Sequence, residues 1–485
     1  MASEKIRDLR HFLDAIREIA PEEMVEVKET VNPLDYELNT FLEIFREQGR
    51  FPLLKCDRVK DFQGRIFDGS LVTSADPGSY RRAAIAFDLP LAASHTQDVI
   101  VELGRRAGKP IKPQVIGRGE APVKQQVFTG EKADLGMLPL VMLFEEDAKP
   151  GWLTPVVAFK HPKEGRYNLA YHRTLYHGPR RVTMKISPKQ QTHAAQYYNA
   201  AQEMGVKLPF AAVFGHHPGF YQGAAIRTPY AMDEYDQIGG VLGQPLRVVP
   251  SETLGEDFLV PADAEVIVEG WFTPGEYDNE GPFGEWPAYY GAQLVQPVGQ
   301  VTAITMRKSP IMQTVWSSYH MLEDISHSMG LQAWIKAKFP RLVAACSLYH
   351  TWAIISIDKK VEGEPMRVAS LALAYGEHVK HVIIVDKDVN PFNLMDVFWA
   401  VAMRVQPADQ VQIIRNLKLG RNDPSLIHPS SGSGMVIDAT EPTDRPFQTR
   451  VAVPKATLER LRRDLDRYVD PQVLNRIPVR DRWTY

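Results

Sequence analysis

Asp278-Asn279-Glu280-Gly281-Pro282-Phe283-Gly284-Glu285-Trp286 cannot be regular helix, because one proline and two glycines interrupt it. It follows the β-prone run Ala264-Glu265-Val266-Ile267-Val268-Glu269-Gly270, so it reads as a constrained turn in a strand-rich region. Such a turn can aim Glu280 and Glu285 into one cavity. Paired carboxylates in a partly dry site split their pKa values, and one can then hold a proton for donation. A surface turn with both acids solvated is the alternative.

The strand texture extends from about 114 to 305. Val156-Val157-Ala158-Phe159, Val182-Thr183-Met184-Lys185-Ile186 and Phe210-Ala211-Ala212-Val213-Phe214 are short and bounded by Gly or Pro, which suggests a barrel-like middle domain. A helix is expected at about 190–204. Towards the N-terminus, Ile6, Leu9, Phe12, Leu13, Ile16 and Ile19 recur at helical steps, with Ser3 as the expected cap. Residues 51–54 and 82–87 read as apolar patches between turns, and a second helix is expected near 96–107. Lys109-Pro110 to Pro113 breaks the pattern. Beyond about 306 the texture alternates: Trp352–Ile357 and His381–Asp386 read as buried strands, with helices at 365–375 and 394–404. Ser431-Gly432-Ser433-Gly434 reads as a flexible loop. Leu458, Leu461, Leu465 and Tyr468 form a helical stripe suited to core or subunit contact. The expected fold class is α/β (α+β), divided into 1–112, 113–305 and 306–485.

A chain of 485 residues is long enough for two to four domains and needs no disulfide or structural metal for stability. With 44% hydrophobic and 24% charged residues, disorder is excluded as its main state. A net charge of −3 leaves no electrostatic footprint for nucleic acid or an anionic membrane. Cys56 and Cys346 stand in apolar contexts and are expected to be buried free thiols. With no apolar signal core at the N-terminus and no span of about 18 apolar residues, the expected location is the cytoplasm.

Two further segments can carry chemistry. Tyr167-Asn168-Leu169-Ala170-Tyr171-His172-Arg173 offers an arginine whose bidentate fork suits a substrate carboxylate or the glutamate pair. In Ala231-Met232-Asp233-Glu234-Tyr235-Asp236, a carboxylate joined by the Asn168 amide oxygen suits a hard cation such as Mg or Mn. A structural arginine and an exposed acidic helix start are the competing readings. No P-loop, HExxH, CxxC pair, GxSxG elbow or dinucleotide fingerprint is present. The adjacent pair His216-His217 points apart if extended, which disfavours a shared metal.

Together these segments resemble the UbiD family of decarboxylases, which use prenylated FMN. The resemblance starts at Asp8-Leu9-Arg10. It continues through Asp134-Leu135, Leu138-Pro139, Asn168 to Arg173 and Leu208-Pro209-Phe210-Ala211. It includes Glu234 with Gly239-Gly240-Val241-Leu242-Gly243, and the Glu-Gly-Pro-Phe-Gly-Glu signature at 280–285. It ends with Val385 to Asn390, Val397-Phe398-Trp399-Ala400 and Ile437-Asp438-Ala439-Thr440.

The resemblance implies an N-terminal α/β region, a central split β-barrel carrying the flavin and a C-terminal α/β dimerisation domain. It implies a catalytic set of Arg173, Glu280 and Glu285, with Glu285 as proton donor. The cofactor would lie along Asn168, Ala170, Tyr171, His172, Arg173, Gln190 and Glu234. Mn2+ (or Mg2+), with K+ nearby, would anchor its phosphate through Asn168 and Glu234. The family's third ligand, usually histidine, falls on Gln191 by ungapped matching, with His193 two residues on; Gln191 is slightly favoured. His327, Leu426 and His428 match the substrate pocket. The implied activity is reversible, non-oxidative decarboxylation of an aromatic or heteroaromatic acid through a covalent substrate–flavin adduct. A flavin prenyltransferase would supply the cofactor, and the chain would form a homodimer or homohexamer. A flavin-binding protein without turnover and a metal-dependent hydrolase using the glutamate pair are the alternatives.

Overall fold

The computed structural model describes residues 6–73, 79–91, 96–189, 192–315, 322–426, 428 and 431–470. The fold is mixed α/β, with several sheets. Two compact units are present: Met1–Ala333 with Gly420–Pro429, and Trp334–Leu419 with Ser430–Tyr485.

In the first unit the main sheet follows one path. Its order is Trp152–Leu153, Thr174–Gly178, Arg181–Met184, Leu294–Met306, Val266–Glu280, Leu208–Phe214, Val156–Lys160 and Tyr167–Tyr171, with Gln126–Thr129 added beside Leu294–Met306. The two ends of this path are joined by very short links. Thr154-Pro155 connects the first strand to the seventh, and His172-Arg173 connects the eighth to the second. Six strand spacings of about 4.8 Å would separate those strands by roughly 29 Å in a flat sheet, whereas two intervening residues reach only about 10 Å. The sheet therefore curls until its ends face each other, as a split barrel. The backbone N–H of His172 donates to the Pro155 carbonyl at 3.2 Å, tying the two links together.

The Leu208–Phe214 strand shows why this region reads as continuous apolar runs. Phe210, Ala212 and Phe214 point into the curl with Val182, Met184, Val268 and Val301, around a narrow apolar cavity. Ala211 and Val213 enter a second core with Phe220, Tyr221, Tyr235 and Ile238, from the helices Pro218–Ala225 and Glu234–Leu242. Both faces are buried, so strict polar alternation disappears. Each large side chain buried this way contributes about 2 kcal/mol. A four-stranded sheet, Met24–Val31, Leu53–Val59, Ser70–Thr73 and Ile311–Thr314, packs beside the helix Leu9–Ile19, and a three-stranded and a two-stranded sheet are also present. The second unit holds a five-stranded sheet ordered Leu342–Leu348, Trp352–Ile357, His381–Asp386, Ser431–Ala439 and Val411–Lys418.

Several expectations are corrected. The first helix is capped by Asp8, whose side chain accepts from His11 N; Ser3 lies outside the described residues. Residues 82–87 belong largely to a helix, Tyr80–Ala86, started by the Ser79 cap. Ser431 to Gly434 is strand, because Val411–Lys418 supplies ladder partners that override weak local propensity. The stripe Leu458, Leu461 and Tyr468 is exposed, so it is not core of this chain. Cys56 and Cys346 are buried and form no disulfide, as expected. Among the described residues, no helix is long and apolar enough to cross a membrane.

Candidate active site

Arg173 sits in the two-residue link that bridges the split of the barrel. Its Nε donates to Glu280 Oε1 at 2.5 Å and its Nη2 to Glu280 Oε2 at 2.7 Å, a bidentate fork. Nη1 donates to Glu285 Oε1 at 2.6 Å. The two glutamates of the 280–285 turn thus meet on one guanidinium. Glu280 ends the strand Val266–Glu280 and is fully buried. Burial pushes its carboxyl above the usual range, and Arg173 pulls in the opposite direction. Trp152 and Phe283 flank the guanidinium at 5.9 and 5.2 Å from their ring centroids.

Each glycine of the turn has a physical reason. Gly281 has φ +87°, a conformation that side-chain-bearing residues rarely adopt. A Cβ on Gly284 would lie 2.1 Å from the Phe144 ring, so only glycine permits that approach. The turn is docked on the 144–148 segment: Ala148 N donates to Pro282 O at 2.8 Å, and Gly284 N to Asp147 Oδ1 at 2.6 Å.

A second group is built around Asn168, in the strand Tyr167–Tyr171 that leads into the Arg173 link. Both oxygens of Glu234 accept from Asn168 Nδ2 at 3.1 Å; Leu169 N donates to its Oε2 at 2.5 Å and Thr228 Oγ1 to its Oε1 at 2.7 Å. Glu234 is the first residue of its helix and is buried, not an exposed acid; Asp233 caps the helix through Tyr235 N. Nδ1 of His193 lies 3.5 Å from Glu234 Oε1. Asn168 Oδ1 is buried with no partner among the described residues. That orphaned oxygen, the carboxylate and the imidazole form a donor set that fits a hard divalent cation. No group of three or more His, Cys, Asp or Glu suited to a metal occurs among the described residues, so the amide oxygen is needed to complete the set.

His172, between the two groups, is buried; desolvation pushes its pKa down to about 4, and its Nε2 has no described partner. Ala170 and Tyr171 are half-buried on the last strand of the sheet path.

The described contacts therefore unite Arg173, Glu280 and Glu285, and separately Asn168, Glu234 and His193. Gln190 and Gln191 lie outside the described residues. His327 is buried on the helix Leu322–Lys336, whereas Leu426 is half-buried and His428 exposed. Two residues were missed from the sequence. Lys185 Nζ donates to Glu285 Oε1 at 2.5 Å, and Asp147 anchors the turn. Asp147 ends the run Glu145-Glu146-Asp147, which carries no local sign of burial.

The chain matches known proteins in both sequence and fold. The family described as 3-octaprenyl-4-hydroxybenzoate carboxy-lyase matches through its Rift-related domain at residues 114–320 and its C-terminal domain at residues 320–439. The chain belongs to the UbiD family of carboxy-lyases. A phenolic acid decarboxylase from Sedimentibacter hydroxybenzoicus is 30% identical over 455 residues, covering 90% of this chain and 92% of that protein. The UbiD-class enzyme HmfF from Pelotomaculum thermopropionicum, in complex with FMN, superposes with a TM-score of 0.84 at 29% identity, covering 95% of this chain and 100% of that one. An evolved dimeric form of HmfF in complex with prFMN gives 0.80 at 28% identity, covering 93% and 98%. The open form of Sedimentibacter hydroxybenzoicus vanillic acid decarboxylase, with truncated ShVdcD, gives 0.86 at 28% identity, covering 97% and 100%. This UbiD-family chain thus shares its mixed α/β fold with those enzymes along nearly its whole length.

Proposed function

We propose that this chain decarboxylates an aromatic or heteroaromatic carboxylic acid with prenylated FMN as cofactor. The observation that carries the reading is the Arg173–Glu280–Glu285 cluster, in which two acids share one buried guanidinium. When bound, the prenylated flavin supplies an electron sink for the ring carbon that loses CO2.

The chain's own groups perform the rest. Arg173 fixes the geometry of both acids. Glu285, the more exposed of the pair, delivers a proton to the carbon that CO2 has left. Glu280, held above the usual carboxyl range by burial, sits on the opposite side of the same guanidinium. Trp152 and Phe283 keep water from the guanidinium. Asn168, Glu234 and a third ligand would hold Mn2+ or Mg2+ against the flavin phosphate. His193 is our choice for that ligand over Gln191, because its ring lies beside Glu234. Ala170, Tyr171 and His172 would border the flavin. A homo-oligomer is part of this reading: Phe398 and Met403 stand exposed on the helix Leu394–Arg404.

The test is protein made with and without a flavin prenyltransferase, followed by absorption spectra and CO2 release from a panel of aromatic acids. A flavin-like band with CO2 release supports the reading. A band without turnover makes the chain a cofactor carrier, and hydrolytic activity without flavin makes it a metal-dependent hydrolase using the Glu280 and Glu285 pair.

A further inference from the structure

Lys185 lies just beyond the strand Arg181–Met184, and its backbone N–H donates to Arg173 O at 3.3 Å. The two following N–H groups, of Ile186 and Ser187, both donate to the buried Gln296 at 3.1 and 2.9 Å, which fixes the chain at this point. The Lys185 ammonium donates to Glu285 Oε1 at 2.5 Å, the same oxygen that receives Arg173 Nη1 at 2.6 Å.

Two cations therefore crowd one carboxylate oxygen, and they differ in what they have left to offer. Three of Arg173's five N–H groups are committed to the glutamates, and its side chain is 6% exposed between Trp152 and Phe283. Lys185 has one described bond, so two of its three N–H groups remain, and its side chain is 23% exposed. Among the described residues, Lys185 is the cation of the cluster with both spare donors and an open approach.

We propose that Lys185 is a substrate-binding residue whose ammonium takes the carboxylate of the incoming aromatic acid, beside the proton-donating glutamate. The identity of that anion rests on the decarboxylase reading; the existence of an anion site at Lys185 does not. Lys185 would then discriminate aromatic carboxylates from neutral rings of the same shape.

The experiment is titration calorimetry with benzoate and benzamide on the purified protein, with and without FMN. Wild type is expected to bind benzoate about tenfold or more tightly than benzamide, the scale of a charge-assisted hydrogen bond. Lys185→Met should lose that preference and Lys185→Arg should keep it; Lys185→Gln replaces the methionine variant if the latter does not fold. The comparison is repeated on a Glu285→Gln background to separate contact with the ligand from an effect through Glu285. There, Lys185→Met must still weaken benzoate. Equal affinities with and without Lys185 on that background, or no preference in wild type, would overturn the proposal. CO2 release from cofactor-loaded wild type is scored independently. Lys185-dependent benzoate binding without CO2 release from any aromatic acid would sink the decarboxylase reading and leave the anion site standing.

Discussion

Gly284 donates its backbone N–H to the buried carboxylate of Asp147 at 2.6 Å, and the residue after Gly284 is Glu285. The other Asp147 oxygen accepts from Leu143 N at 3.3 Å and Phe144 N at 3.0 Å, so one carboxylate ties two distant segments together. Asp147→Ala removes the carboxylate that accepts from three backbone N–H groups, those of Leu143, Phe144 and Gly284. The expected result is a loss of about 1–3 kcal/mol in unfolding free energy. Turnover should fall by roughly tenfold or more, as Glu285 loses its fixed position. Chemical denaturation and single-turnover rates check the two parts, and unchanged single-turnover rates would show that the turn holds itself.

Glu285→Gln keeps the side-chain shape and removes the transferable proton. Cofactor should still load, while decarboxylation should drop by about 100-fold or more, the usual contribution of a positioned general acid. The measurements are the flavin absorbance and the initial rate of CO2 release. A loaded variant working at the wild-type rate would exclude Glu285 as the donor.

Asn168→Ala and Glu234→Ala should each lower metal and flavin content together, because the cation would neutralise the cofactor phosphate. Elemental analysis and flavin absorbance on the same sample report both quantities. His193→Ala is expected to behave like these two and Gln191→Ala to resemble wild type. The opposite pattern would move the third ligand to Gln191.

Two buried histidines, His172 within the site and His216 away from it, set an acid limit on stability. Burial pushes His216 down to about 3 and His172 down to about 4. In the unfolded chain a histidine titrates near about 6.5, so below that pH the unfolded state binds more protons and stability falls. Each buried histidine accounts for a loss of about 2 kcal/mol between pH 6.5 and pH 5. The His216 ring stacks on Phe220 at 4.6 Å, a contact that His216→Phe retains. That variant should lose about 2 kcal/mol less than wild type over the same interval. Urea unfolding at the two pH values measures the difference, and identical losses would mean that His216 is not kept neutral by the fold.

Elements with a local period are legible in the sequence. The helices expected at 96–107 and 394–404 occur as Thr96–Ala107 and Leu394–Arg404, because their spacing of apolar residues is itself the helical period. The doubly buried strands showed as unbroken apolar runs, and the Glu280-to-Glu285 spacing around Gly-Pro-Phe-Gly marked a turn with two acids. Short or weak elements were less legible. The seven-residue helix Tyr80–Ala86 has too few turns to display a period, and Ser431 to Gly434 becomes strand only when a neighbour pairs with it. Only the tertiary structure decided which charges surround the acids. Lys185 reaches Glu285 across 100 residues, and Asp147 reaches Gly284 across 137. Neither carries a local signature, since a lysine at a strand end and an aspartate in an acidic run look solvated in any sequence. Their roles arise when a sheet curls until its ends meet, and the two-residue links that force this curl act only after distant strands have paired.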